Sequence, residues 1–125
     1  MGWGWACQSD NMAASLQAIG QNMQELTDRQ RGLREAARSL AAETIAPRAS
    51  ATDLSEEYPW DNVRALVDAG FMGMTIPEAY GGKGASYLDA ALVIEEMAKV
   101  CGVTARIVVE GNMGAIGAKV KARLG

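Results

Sequence analysis

Apolar positions recur at helical spacing along most of this chain, and four helices account for them. The first is announced by Thr27-Asp28-Arg29-Gln30, a capping box with Thr at the N-cap and Gln at N3. Leu33, Ala36, Ala37, Leu40 and Thr44 then fall on one stripe. Arg29, Arg31, Arg34, Glu35 and Arg38 cover the other side and read as a solvated face. Pro47 cannot donate to the helical ladder, so the helix is expected over 28–46, ending close to Ile45. Arg48 to Tyr58 reads as a polar connector.

A second helix, near 60–69, opens with Pro59 in its first turn. Val63, Leu66 and Val67 form its apolar edge, and Gly70 with Phe71 predicts a Schellman end folding back on Leu66. A third, near 86–101, is capped by Ser86 with Asp89 and is apolar nearly all round. Only Asp89, Glu95, Glu96 and Lys99 interrupt it, so a further domain or subunit is expected over part of it. A fourth, near 103–118, carries Ile107, Val108 and Val109. Gly111, Gly114 and Gly117 lie along one strip of that helix. Each helical glycine costs roughly 1 kcal/mol relative to alanine, so something packs closely there, either a neighbouring helix or a ligand tail.

The pattern therefore predicts an all-α domain over 26–125, preceded by an extension over 1–25 that is flexible or weakly helical. Met12, Leu16, Ile19 and Met23 recur near helical spacing within Asn11–Gln24, and Met12 or Met23 is a candidate biological start. Between the second and third helices stands Thr75 to Gly84, the longest central run without helical periodicity. Its Gly81-Gly82-Lys83-Gly84 fits neither the Walker nor the Gly-x-Gly-x-x-Gly order, so a structural turn or a domain-closing loop is favoured over a phosphate cradle.

Composition narrows the chemistry. There is no histidine, so proton transfer would fall to Asp, Glu, Lys, Tyr or Cys. The net charge of −3 disfavours nucleic acid. Cys7 and Cys101 have no metal-type or redox-motif spacing and read as reduced thiols. With no secretory signal and no apolar run of membrane-spanning length, a cytoplasmic protein is expected. Glu95 and Glu96 point about 100° apart on a helix and cannot pair for catalysis. Arg106 and Glu110 stand at i,i+4 in an apolar segment, as a structural salt bridge or as the polar end of a greasy pocket.

Several ordered motifs carry a resemblance. These are Leu26-Thr27-Asp28 with Gln30 and Leu33-Arg34-Glu35-Ala36-Ala37-Arg38, then Ile45-Ala46-Pro47, then Ala69-Gly70-Phe71-Met72-Gly73-Met74-Thr75-Ile76-Pro77-Glu78 with Tyr80-Gly81-Gly82 and Gly84. Leu88-Asp89, Leu92-Val93, Glu95-Glu96 and Ala98 complete the series. Over about Leu26 to Gly117 the chain resembles the N-terminal helical domain of the flavin-dependent acyl-CoA dehydrogenases. The resemblance implies a β-domain and a C-terminal helical domain beyond this segment, with FAD held between them. It implies oxidation of an acyl-CoA thioester to the 2,3-enoyl-CoA, a homo-oligomer, and an electron-transfer flavoprotein as acceptor. The catalytic glutamate would lie outside this chain, which alone is expected to be inactive and not to hold FAD. The shortfall would reflect an incomplete product or a second chain that supplies the rest. Glu110-Gly111-Asn112 is similar to the segment lining the far end of the acyl pocket, with Arg106 one turn earlier, so Arg106, Glu110, Gly111 and Gly114 are the expected substrate-binding residues. Arg106 hints at a shorter or polar acyl group. An acyl-CoA oxidase fragment and a stand-alone helical interaction module remain the alternatives.

Overall fold

The structure, a computed structural model, describes residues 25–114. The weak helix expected before Gln24, Cys7, Gly117 and the far end of the fourth helix lie outside the described residues. The chain divides into two units, Met1–Arg31 and Gly32–Gly125. In the first, the expected capping box is formed. The Gln30 N–H donates to Thr27 Oγ1 at 3.1 Å, and the Thr27 N–H donates to Gln30 Oε1 at 3.1 Å.

Helix α1 runs Asp28–Leu40 and does not stop at Pro47 as expected. It passes through a wide π-type turn, Ala41–Ile45, then a 3-10 turn, Ala46–Arg48, and into α2, Ala49–Leu54. The wide turn closes with the Ala46 N–H on the Ala41 carbonyl. Pro47 then falls at the start of the tighter turn, where its missing N–H is not needed. The first half of the expected connector is thus helical. Buried positions follow as Ala37, Ala41 and Ile45 in steps of four, whereas Ala36 is exposed.

Helix α3, Trp60–Asp68, starts one residue later than Pro59, whose carbonyl accepts from Asn62 and Val63. Its end is the expected Schellman motif. The Phe71 N–H donates to the Leu66 carbonyl and the Gly70 N–H to that of Val67, with Gly70 at φ +74°. The buried edge differs from the expectation: Leu66 is enclosed, but Val67 is 55% exposed and Asn62 takes an interior place. Asn62 Nδ2 donates to Thr104 Oγ1 at 3.0 Å, and Thr104 Oγ1 donates to Cys101 Sγ at 3.2 Å, so the polar group is satisfied inside the core.

Helix α4, Tyr87–Ala98, opens on the expected Ser86–Asp89 capping box. Helix α5, Gly102–Met113, follows after a three-residue turn, and the two form the most extensive helix pairing among the described residues. Ile45, Leu66, Phe71, Met74, Val93, Met97 and Val108 close one apolar cluster between these elements. Among the described residues no helix is long and apolar enough to cross a membrane.

Two polar fixtures hold this core. The first is Glu96, 3% exposed on α4. Lys99 Nζ reaches it at 2.8 Å, Arg34 Nε at 3.1 Å and Arg38 Nε at 3.3 Å. Arg34 and Arg38 therefore do not merely line a solvated face; they neutralise a carboxylate that α4 carries into the interior. Burial pushes the Glu96 carboxyl up, but hydrogen bonds from Lys99, Arg38 and Arg34 outweigh it and hold it at about 2, below the ordinary 4.5. The second is Asn112, fully enclosed on α5. Its Oδ1 accepts from the Met74 N–H at 2.7 Å, and its Nδ2 donates to the carbonyls of Phe71 and Val108 at 2.9 Å each. Thr75 Oγ1 donates to the Asn112 carbonyl.

The central loop is thereby pinned to α5 at Phe71–Thr75. Beyond that it closes on itself. The Ala85 N–H donates to the Met74 carbonyl and the Gly84 N–H to that of Ile76, around a 3-10 turn at Glu78–Tyr80. Gly82 lies so close to the backbone of Ile76 that a Cβ would overlap the Ile76 carbonyl. Within the described residues the loop turns tightly on itself, with Gly82 packed against the Ile76 backbone and Gly81 open to solvent.

Three outcomes follow. Gly82→Ala lowers stability by about 1–3 kcal/mol, since the obstructing atoms are backbone, whereas Gly32→Ala on α1, with nothing within 4 Å, raises it by about 0.5–1 kcal/mol; thermal unfolding compares them. Asn112→Ala costs about 1–3 kcal/mol by stranding buried partners, and hydrogen exchange then quickens across Phe71–Ala85 more than in α4. Because the folded pKa of Glu96 is depressed, its stabilisation is complete above about 4.5 and is lost as pH falls toward about 2. Stability followed by circular dichroism between those limits should fall less steeply in Glu96→Gln than in the parent.

Candidate functional site

Helix α5 presents two opposite faces. Thr104, Val108 and Asn112, in steps of four, are buried. Val103, Arg106, Glu110 and Gly114 form the exposed stripe on the far side. The buried face is anchored twice, near its start by Asn62 on Thr104 and near its end by Asn112 on the loop. Roughly two turns of helix separate these anchors, and the exposed stripe between them is held on a rigid rod.

On that stripe Arg106 Nε donates to Glu110 Oε1 at 2.9 Å. Both side chains are open, at 81% and 59% exposure, so within the described residues the pair is not enclosed in a pocket. The fold brings Arg106 and Glu110 together and places Gly114 one turn further along the same stripe. Gly111 is different. It is half-buried, and a Cβ there would run into the end of the Met72 side chain. Its bareness accommodates Met72 of the loop, an occupant other than the neighbouring helix or ligand tail expected for the glycine strip.

Sequence reasoning passed over Asn112, Thr75 and Met72 as fixtures of the site. One signal was available. Asn is a poor residue for a helix interior, because its amide competes for backbone groups, and its place between Gly111 and Met113 in an apolar helix marks a specific partner. The partner itself, the Phe71–Thr75 backbone, is not written in local sequence.

An open groove of about 340 Å³ lies elsewhere, between Arg48, Ala51, Thr52 and Ser55 on one side and Tyr58, Trp60 and Asp61 on the other. Tyr58 and Trp60 meet edge to face with ring centres 4.8 Å apart. The lining contains no glycine turn of the kind that receives a pyrophosphate. FAD, which the resemblance implies, therefore finds no fit in it.

Comparison with known proteins agrees with this architecture. The acyl-CoA dehydrogenase N-terminal domain profile matches residues 27–122. A 3-sulfinopropanoyl-CoA desulfinase of Paraburkholderia xenovorans is 62% identical over 99 residues, covering 79% of this chain and 26% of that protein. A protein of the same name from Variovorax paradoxus is 59% identical over 99 residues, covering 79% and 25%. A cyclohex-1-ene-1-carbonyl-CoA dehydrogenase of Syntrophus aciditrophicus is 40% identical over 83 residues, covering 66% and 20%. The chain spans about a quarter of the length of the desulfinases it matches. With that profile matched over residues 27–122, most of its length, this chain belongs to the acyl-CoA dehydrogenase family, in its N-terminal helical domain.

Proposed function

We propose that this domain serves an enzyme acting on a short acyl-CoA thioester whose acyl chain ends in an anion, with 3-sulfinopropanoyl-CoA as the substrate. Arg106 is the observation that carries this. It places a permanent cation on the face of α5 that the described residues leave open. A plain alkyl tail gains nothing from a guanidinium and must desolvate it, whereas the two oxygens of a sulfinate match its parallel N–H groups. The relatives at 62% and 59% identity are named for that thioester.

On this reading α5 is a wall of the acyl pocket. Arg106 receives the sulfinate, and Gly114 leaves room beside it. Desulfination breaks the bond between C3 and sulfur. With water it balances as a terminal CH2–SO2⁻ becoming CH3 while hydrogen sulfite leaves. The part of this chain is to orient the C–S bond by holding the sulfinate oxygens and to neutralise their charge. The remaining machinery, cytoplasmic location and homo-oligomer state belong to the whole protein. A second reading, flavin-dependent oxidation to the 2,3-enoyl-CoA with electrons leaving to an electron-transfer flavoprotein, is favoured by the relative named a dehydrogenase at 40% identity. The half-exposed Tyr87 and Leu88 of α4 suit coverage by further domains under either reading.

The full-length protein given 3-sulfinopropanoyl-CoA should release sulfite, and given butanoyl-CoA should reduce a dye acceptor slowly or not at all. Arg106→Gln should raise KM for 3-sulfinopropanoyl-CoA by about 10- to 100-fold, the worth of a charged hydrogen-bonded contact. Its binding of butanoyl-CoA should stay within about twofold of the parent. Dye reduction without sulfite release would select the dehydrogenase reading instead.

A further inference from the structure

We propose that Glu110 is a positioning residue for substrate recognition: it holds Arg106 by one edge of the guanidinium so that the other edge meets the anionic end of the acyl chain. This rests on the reading that Arg106 receives that end.

The geometry supports it in three ways. The ion pair is one-sided: its hydrogen bond runs from Arg106 Nε to Glu110 Oε1 at 2.9 Å. A guanidinium has five N–H groups in a fixed plane. With the Nε–H taken, the Nη1 and Nη2 edge keeps two parallel N–H groups, the arrangement that suits both oxygens of a sulfinate or carboxylate. The pair also contributes little to folding. Both partners are largely open to solvent, where such contacts are weakly stabilising. Its order along α5, the cation one turn before the anion, is the less helpful one for a helix; the Glu95–Lys99 pair on α4 shows the favourable order. Finally, the backbone beneath is fixed. Asn112 and Thr104 lock the opposite face of α5, so tethering Nε is enough to aim the fork.

A long arginine side chain loses rotamer freedom when it is ordered, and Glu110 removes that loss before substrate arrives. What matters in this mechanism is an acceptor at Oε1, not its charge. Glutamine keeps the acceptor and alanine removes it. If Glu110 instead acted through charge, the two variants would behave alike, and both would strengthen binding of an anionic tail.

The test is calorimetric binding of 3-sulfinopropanoyl-CoA and butanoyl-CoA to the full-length protein and to Glu110→Ala, Glu110→Gln, Arg106→Gln and the Glu110→Ala/Arg106→Gln double variant. The quantity read is the preference for the anionic over the neutral tail. It should drop about three- to tenfold in Glu110→Ala, stay within about twofold in Glu110→Gln, and be no lower in the double variant than in Arg106→Gln. Far-ultraviolet circular dichroism and an unfolding midpoint like the parent's serve as the check on folding. Equal behaviour of the alanine and glutamine variants, or a higher preference in either, overturns the positioning role. A preference that survives Arg106→Gln overturns the underlying reading instead, whatever the Glu110 variants do.

Discussion

The constraint on which the rest of this domain depends is the seating of Asn112. One enclosed side chain and its own carbonyl hold Phe71, Met74 and Thr75 of the loop and close back on Val108 of their own helix. A carboxamide can do this because it donates and accepts at once, in two directions, with no net charge to desolvate. The loop it pins then closes around Gly82, and Met72 settles over Gly111. Movement of Asn112 would free the loop, uncover Gly111 and release the end of α5 that carries the exposed stripe.

The same residue types serve opposite ends elsewhere in the molecule. Glu96 is drawn inside and surrounded by Arg34, Arg38 and Lys99. Removing one partner of such a group leaves charge behind without compensation, so it behaves as a fixed joint between α1 and α4. Arg106 and Glu110 make a contact of similar length on an open face, where water screens it. Distance does not separate a buried joint from an open pair here. Burial does. Among the described residues the polar fixtures thus lie on the covered faces of α4 and α5, while the Arg106–Glu110 pair stands on the open face of α5.

How much of this was legible in the sequence depends on range. The two capping boxes and the Schellman end at Gly70 were readable because each is specified by residues within five positions of one another. Pro47 misled for a related reason. Its lost hydrogen bond is a local fact, but the wide turn that absorbs it is a compromise that keeps Ile45 in the core. Asn62 takes an interior place because Thr104, 42 positions away, supplies a buried partner for its amide. For the candidate site, Arg106 and Glu110 were visible as an i,i+4 pair, while the environment that makes them available was not.

The sequence by itself determined the helices around Leu33, Leu66, Val93 and Val108 but not the one over Ala49–Leu54, and it determined where the caps fall, that Thr75–Gly84 turns instead of continuing a helix, and which family these motifs resemble. Periodicity and capping act over one or two turns, so the chain carries them in plain order. Only the tertiary structure decided which charges are structural and which are exposed. It joined Glu96 to arginines about 60 positions earlier, and it tied Asn112 to a backbone about 40 positions earlier. Burial is a property of all neighbours at once, and no local spacing encodes it.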